Sequence, residues 1–107
     1  MYYSVRAKPI LARAPEFYRK LTDGTIRQQQ PDGKEIAEAM QRARITATGE
    51  VRWSQRCFCP TPLKHERRTV YNRYFTGLHT EVVHGSVEFE GQPFMEFIAS
   101  LAASSQG

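Results

Sequence analysis

A chain of 107 residues, 40% hydrophobic and 24% charged, has the length and composition of a single globular domain. No apolar run approaches the roughly 20 residues that span a bilayer, and the N-terminus lacks the apolar core of a signal peptide. We therefore predict a cytoplasmic protein with no membrane partner. One domain is expected to cover residues 1–107, with a frayed tail from about residue 102.

The charge is spread unevenly along the chain. The formal net charge is +4, and all 15 Lys and Arg residues lie at or before Arg73. Residues 1–73 therefore carry +8 and residues 74–107 carry −4. Two interpretations stay open. Either the acidic segment folds against the basic body, or the body keeps a positive face for an anionic partner.

The first third of the chain predicts a strand and a helix. Apolar and polar residues alternate over 2–8, which indicates a half-buried strand that Pro9 ends. Pro15 suits the first position of a short helix, and Asp23-Gly24 stops it. Residues 25–30 predict a brief edge strand or an extended linker.

A second helix is predicted after residue 32. Asp32 and Glu35 form a capping-box pattern, in which each side chain accepts from a free backbone N–H of the first turn. Ile36, Met40 and Ala43 then recur on one face. This spacing predicts an amphipathic helix that packs on a core.

Residues 50–59 alternate again and predict a long strand. Its buried side is expected to carry Val51, Trp53, Gln55, Cys57 and Cys59, and its exposed side Arg52, Ser54, Arg56 and Phe58. The exposed side of such a strand is our candidate for a dimer surface.

The segment after residue 60 is interpreted as a helix. Thr61-Pro62 reads as an N-cap followed by an N1 proline, and Gly77 supplies a stop. A hairpin with the preceding strand is the alternative, because this stretch contains β-prone residues. Helical counting places seven residues on one face, six of them apolar: Leu63, Arg67, Val70, Tyr71, Tyr74, Phe75 and Leu78.

The last third predicts a hairpin and a helix. Residues 80–83 and 86–90 flank His84-Gly85, a two-residue connection suited to a hairpin, with a single bent strand as the alternative. Pro93 opens a helix whose apolar stripe contains Phe94, Phe97, Ile98 and Leu101.

This order of elements predicts an α+β fold, with a mainly antiparallel sheet and helices packed on one face. A ferredoxin-like sandwich with an added helix is the simplest arrangement that fits.

Cys57 and Cys59 are the sulfur-bearing candidates for a site. With His65, His79 or His84 they would complete four metal ligands. Structural zinc sites usually separate their cysteines by two or more residues and add a second close pair of ligands, and neither feature is present. We therefore predict no metal and no cofactor, and interpret the thiols first as small hydrophobic residues.

A reactive thiol is the second interpretation of this pair. Cys59 precedes the predicted start of a helix at Pro62, and Lys64 and His65 follow closely. The partial positive charge of a helix start and nearby cations favour a thiolate. Cys59 as nucleophile and His65 as base are the candidate catalytic residues.

A basic cluster supplies the candidate ligand-binding residues. Lys64 to Arg68 is most simply a solvated, mixed-charge helix start, although it is also suited to an anion. Arginines alternate with aromatic residues, as in single-stranded nucleic-acid sites, but Trp53 is predicted on the face opposite Arg52 and Arg56. The full candidate set is Arg52, Arg56, Lys64, Arg68 and Arg73.

Three functions follow from these features. The first is a small binding or interaction module, a homodimer with an anionic small molecule or a protein as its partner. The second is a small thiol-dependent enzyme that uses Cys59 and His65. The third is a nucleic-acid-binding domain that uses its basic body, which the absence of recognisable motifs argues against without excluding.

Overall fold

The computed structural model describes residues 1–106, with side chains as far as residue 104. The strands are β1 (Tyr2–Pro9), β2 (Arg44–Ile45), β3 (Val51–Arg56), β4 (Phe75–Val83) and β5 (Gln92–Pro93). The main helices are α1 (Ala14–Thr22), α2 (Gly33–Arg42) and α5 (Phe94–Gln106). A further helix over 64–74 consists of α3 (Lys64–Glu66), a π-helical turn (Arg67–Tyr71) and α4 (Asn72–Tyr74). A short 3₁₀ helix (Leu11–Arg13) precedes α1.

The five strands form one antiparallel sheet in the order β4-β1-β3-β2-β5. β3 is the middle strand, and its neighbour β1 pairs with β3 on one side and β4 on the other. Up to β4, strands and helices follow the β-α-β-β-α-β succession of a ferredoxin-like sandwich, with α2 inserted before β2 and with β5 and α5 added. The predicted α+β class and the layer of helices on a sheet are confirmed.

The core lies between the helices and one face of the sheet. Alternation along β1 turns Tyr3, Val5 and Ala7 inward, as the sequence predicts. Trp53 on β3 is fully buried, and its ring lies 5.1 Å from the ring of Tyr71. The helix over 64–74 is thereby fixed against the centre of the sheet.

The helix predicted after residue 60 is present, and the hairpin alternative is wrong for this segment. It begins at Lys64 rather than Pro62, because Leu63 adopts a left-handed backbone with φ of 54°. An L-residue rarely holds that conformation, and here the complete burial of the Leu63 side chain offsets the strain. The helix ends at Tyr74, so the assignment of Phe75 and Leu78 to its apolar face is wrong. Both residues lie on β4, and Gly77 lies inside that strand and does not stop the helix.

Residues 25–30 form neither a strand nor an extended linker. They make successive turns, in which the amide of Gln28 donates to the carbonyl of Gly24 and the amide of Gln29 to that of Ile26. The Ile26 side chain is buried in the core, which explains why the chain coils here instead of extending.

Residues 84–90 form neither the predicted hairpin nor the alternative single bent strand. Residues 86–90 leave the ladder and cross the outer face of the sheet. There the Ser54 hydroxyl accepts from the amide of Val87 at 3.1 Å and donates to its carbonyl at 3.1 Å, in place of a strand partner. As a result Ser54, predicted to be exposed, is only 2% exposed.

The C-terminal helix is longer than the sequence predicts. Fraying was expected from about residue 102, but α5 continues to Gln106 and Ala102 is buried. Gly107 lies outside the described residues. No helix of residues 1–106 is long and apolar enough to cross a membrane.

Candidate functional site

A cavity of about 410 Å³ opens where β3 ends and the helix over 64–74 begins, and the start of α2 forms its opposite wall. We call it the junction pocket. Its lining residues are Pro31, Asp32, Glu35, Arg56, Cys57, Phe58, Cys59, His65 and Glu66. Both candidate catalytic residues, Cys59 and His65, are among them.

The chain just beyond β3 positions the two thiols. The backbone of Cys57 continues the pairing with the N-terminus, since its amide donates to the carbonyl of Met1 at 2.9 Å. The amide of Cys59 then turns back and donates to Cys57 Sγ at 3.2 Å. Burial raises the pKa of the Cys57 thiol to about 12. Cys57 is therefore a protonated, inward-facing thiol, while Cys59 is only half-buried.

The Cys59 thiol donates to Glu66 Oε1 at 3.4 Å. Glu66 is 2% exposed, so the interpretation of residues 64–68 as a solvated face is wrong at this position. A signal for this placement exists in the sequence, because Glu66 lies three residues after Leu63 and four before Val70 on the apolar stripe. Cys59 therefore has a buried carboxylate as its partner, where nearby cations were expected.

His65 and Asp32 form the second pair in the pocket. His65 Nδ1 lies 2.6 Å from Asp32 Oδ2, and the two side chains are 31% and 15% exposed. Asp32 precedes α2 without making a side-chain cap, so the predicted capping box is wrong. The reason is that its carboxylate turns across to His65. Oδ1 of Asp32 is buried and has no hydrogen-bond partner among the described residues.

A buried polar chain supports the wall behind the pocket. Gln55 Oε1 accepts from Trp53 Nε1 at 3.0 Å and also from the Tyr71 hydroxyl. Burial, followed by the nearby charge of Glu66, raises the pKa of Tyr71 well above its usual value. Tyr71 therefore stays a neutral donor, and it holds the helix that carries Glu66 against β3.

The predicted basic cluster is not assembled. Arg56 lines the junction pocket, where its guanidinium lies 5.5 Å from the Phe58 ring centroid and 5.9 Å from that of Tyr2. Arg52 is paired with Glu50 at 2.8 Å on the outer face of the sheet. Two further members of the cluster, Lys64 and Arg68, are exposed on the helix and do not line the pocket.

Arg73, the fifth member, is bound elsewhere. Its Nε and Nη2 donate to the two carboxylate oxygens of Glu16 at 2.7 and 3.0 Å, and the Tyr74 hydroxyl donates to the same carboxylate at 2.6 Å. These bonds lower the pKa of Glu16 from 4.5 to about 2. The triad thus joins α1 to the helix over 64–74, away from the pocket.

This triad predicts a stability difference that depends on pH. The depressed pKa means that Glu16 stabilises the fold above about pH 4.5 and loses that contribution as the pH falls toward 2. We expect the thermal midpoint of Glu16→Gln to lie below that of the parent chain at pH 7, with the gap closing toward pH 2. Differential scanning calorimetry measures both.

Glu38→Gln is the matched control for this prediction. Glu38 lies 3.8 Å from Arg27 in an exposed pair, which contributes little. Its gap from the parent chain should be small and nearly constant over the same pH range. A Glu16→Gln gap that stays constant down to pH 2 would contradict the account of the triad.

The lining of the junction pocket is acidic. Three carboxylates, from Asp32, Glu35 and Glu66, face one guanidinium and one imidazole. An anionic ligand stays a prediction, and Arg56 is the lining residue suited to it. The inner wall, with its carboxylates and thiols, favours a cation.

Two sets of three side chains are close enough to hold a metal ion. Cys57, Cys59 and Glu66 form one set, and Asp32, His65 and Glu66 the other, with ligand atoms within 4.8 Å of one another in each. Neither of the remaining histidines joins a set among the described residues. His79 lies 3.6 Å from Glu81 on β4, and His84 lies on the exposed segment after it.

Comparison with protein-family models, with curated proteins and with solved structures gives no match for this chain.

Proposed function

We propose that this domain is a small thiol-dependent enzyme whose active site is the junction pocket. One observation carries the proposal. Cys59 and His65 line a single cavity, and each side chain has a carboxylate partner, Glu66 for the thiol and Asp32 for the imidazole. A proton-accepting group beside a thiol, and a carboxylate that orients a histidine, are recurring components of nucleophilic and acid–base catalysis.

His65 is the proposed acid–base residue. Asp32 occupies Nδ1, which leaves Nε2 to exchange a proton with a bound molecule. The adjacent carboxylate also fixes the orientation of the imidazole ring, as in other catalytic histidines. His65 is 31% exposed, so a substrate in the pocket can reach it.

Arg56 is the proposed recognition residue at the edge of the pocket. Its guanidinium lies near two aromatic rings, which restrict its position while leaving it exposed. An arginine with its donors free in this way suits a carboxylate or phosphate on the substrate. We therefore propose a small polar substrate with an anionic group near Arg56 and its reacting bond near Cys59 and His65.

A binding module is the second candidate, and the exposure of Phe58 favours it. This ring is 83% exposed beside Arg56, as expected of a contact residue for a partner or a second copy of the chain. A homodimer through the surface around Phe58 and Arg56 stays a proposal, as does a cytoplasmic location, which the two free cysteines fit.

Nucleic-acid binding has less support, because Arg52 and Arg73 are separately paired with Glu50 and Glu16.

Hydrolysis of p-nitrophenyl acetate tests the enzyme proposal. We expect release of p-nitrophenolate above background by the parent chain. Replacement of His65 by Ala should lower that rate by about 100-fold, the lower end of what acid–base groups contribute. Replacement of Cys59 by Ser should lower it at least as much, because a hydroxyl is a much weaker nucleophile than a thiol. Stopped-flow absorbance gives the rates.

His84→Ala is the matched control, because it removes an exposed histidine outside the pocket. Its rate should equal that of the parent chain. Equal rates for His65→Ala and His84→Ala, with both variants folded by circular dichroism, would contradict the assignment of His65.

A further inference from the structure

Three potential metal ligands converge on the inner wall of the junction pocket. Cys57 Sγ, Cys59 Sγ and a carboxylate oxygen of Glu66 lie within 4.8 Å of one another, and Cys59 Sγ is 3.4 Å from Glu66 Oε1. In a tetrahedral site with Zn–S near 2.3 Å and Zn–O near 2.1 Å, a sulfur and an oxygen ligand are about 3.6 Å apart. The observed separation is close to that of two ligands sharing one ion.

The burial of Glu66 is a second, independent indication. Its side chain is 2% exposed, and among the described residues it forms no ion pair. Its neighbouring polar groups include the two thiols, that of Cys59 at 3.4 Å and that of Cys57 within 4.8 Å. A buried carboxylate is costly without a compensating positive charge, and a bound cation supplies one.

The second set of side chains does not have the geometry of ligands. His65 Nδ1 and Asp32 Oδ2 are 2.6 Å apart, whereas nitrogen and oxygen ligands on one tetrahedral ion are about 3.4 Å apart. These two side chains are therefore hydrogen-bonded to each other. They lie beside Glu66. From there His65 can exchange a proton with a molecule that the ion binds, but neither side chain is a ligand of the ion.

We propose that Cys57, Cys59 and Glu66 bind one thiophilic divalent cation, of which zinc is the best match. Two sulfur ligands favour zinc over magnesium or calcium, which require oxygen. Both cysteines bind as thiolates, and their two protons pass to solvent. Three protein ligands leave one position for water or substrate, the arrangement of catalytic zinc sites.

This inference rests on the proposed function in taking the junction pocket as the active site and His65 as its acid–base residue, and it departs from that function at Cys59, which becomes a ligand and not the reacting thiol. It assigns the thiols the role of metal ligands. His65, held by Asp32, is then the proton acceptor for a water or substrate at the remaining position. The sequence argued against a metal because one residue separates the cysteines and no second close pair of ligands is present. Glu66, the third ligand, was interpreted there as part of a solvated face.

Metal titration of the full chain tests the inference. After removal of bound metal with a chelator, we expect one Zn²⁺ per chain by calorimetry. The Co²⁺ form should show sulfur-to-cobalt charge-transfer absorption. Cys59→Ser should weaken Zn²⁺ binding by at least about 100-fold, since loss of an outer partner of a ligand alone costs 10- to 100-fold. His79→Ala and His84→Ala should bind as the parent chain does.

A cobalt spectrum without sulfur charge transfer, or equal Zn²⁺ affinity in Cys59→Ser and the parent chain, would overturn the inference. If Cys59→Ser does not fold, Glu66→Gln and the parent cobalt spectrum decide in its place. If metal-free protein retains hydrolysis that depends on Cys59 and His65, the metal inference is wrong for catalysis and the proposed enzyme function stands. If the protein binds zinc but shows no hydrolysis that depends on His65, the metal site stands and the proposed enzyme function is wrong.

Discussion

Replacement of Trp53 by Ala is expected to lower the free energy of unfolding by about 3–5 kcal/mol, as for other buried large aromatic residues. Trp53 is fully buried, and its ring lies 5.1 Å from both Tyr71 and Phe75. The substitution leaves a cavity and removes the N–H that donates to Gln55 at 3.0 Å. Because the total free energy of unfolding of a small domain is only about 5–15 kcal/mol, urea denaturation should show a large loss of stability.

Phe58→Ala is the control for this prediction, since it truncates an aromatic residue just beyond the same strand. Phe58 is 83% exposed, and exposed positions usually change stability by no more than about 0.5 kcal/mol. A loss for Phe58→Ala as large as that for Trp53→Ala would contradict the attribution of the Trp53 effect to burial.

Gly33→Ala is expected to disturb both the fold and the junction pocket. A Cβ atom at this position would lie 2.0 Å from the carbonyl oxygen of Ile26 and 3.0 Å from that of Arg27. Both contacts are with backbone, so the start of α2 must move, at a cost of about 3 kcal/mol, the upper end for overpacking. Asp32, the preceding residue, moves with it and loses its bond to His65. Urea denaturation and p-nitrophenyl acetate hydrolysis should both report the change.

Gly85→Ala separates this steric effect from the general effect of replacing a glycine. A Cβ at Gly85 meets nothing within 4 Å. Its unfolding free energy and hydrolysis rate should therefore match those of the parent chain. A Gly33→Ala variant that behaves like Gly85→Ala would contradict the close packing of α2 against residues 26–27.

The regular elements could be predicted from the sequence because their periodicity records which face is buried. Alternation located β1 and β3, and helical spacing located α2 and α5. The strand predicted over 50–59 is too long, because β3 ends at Arg56 and the two cysteines lie beyond it. The π-helical turn and the left-handed Leu63 could not be predicted. They depend on how deeply the helix over 64–74 seats against Trp53, which is a tertiary effect.

The site was predictable only in part. Cys59 and His65 were identified, but their carboxylate partners were not. Asp32 was interpreted as a cap and Glu66 as solvated, because local rules assign these roles to residues at such positions. Both assignments failed because tertiary structure overrides local preference. Asp32 contacts His65, 33 residues away, and Glu66 is buried.

The basic cluster shows the opposite failure. Proximity in sequence suggested one anion site, but Arg52 is paired with Glu50 four residues before Arg56 at the strand end, and Arg73 is bound by Glu16 on α1. Arg56 is the one member that lines the junction pocket. Charge counted along a chain therefore did not predict charge within this pocket.

The convergence of Cys57, Cys59 and Glu66 is most directly tested by X-ray absorption at the zinc edge of the zinc-loaded protein. We expect two sulfur neighbours at about 2.3 Å and oxygen or nitrogen neighbours at about 2.0–2.2 Å. A shell of oxygen and nitrogen alone would show that the thiols do not meet Glu66 around an ion, and would contradict the account.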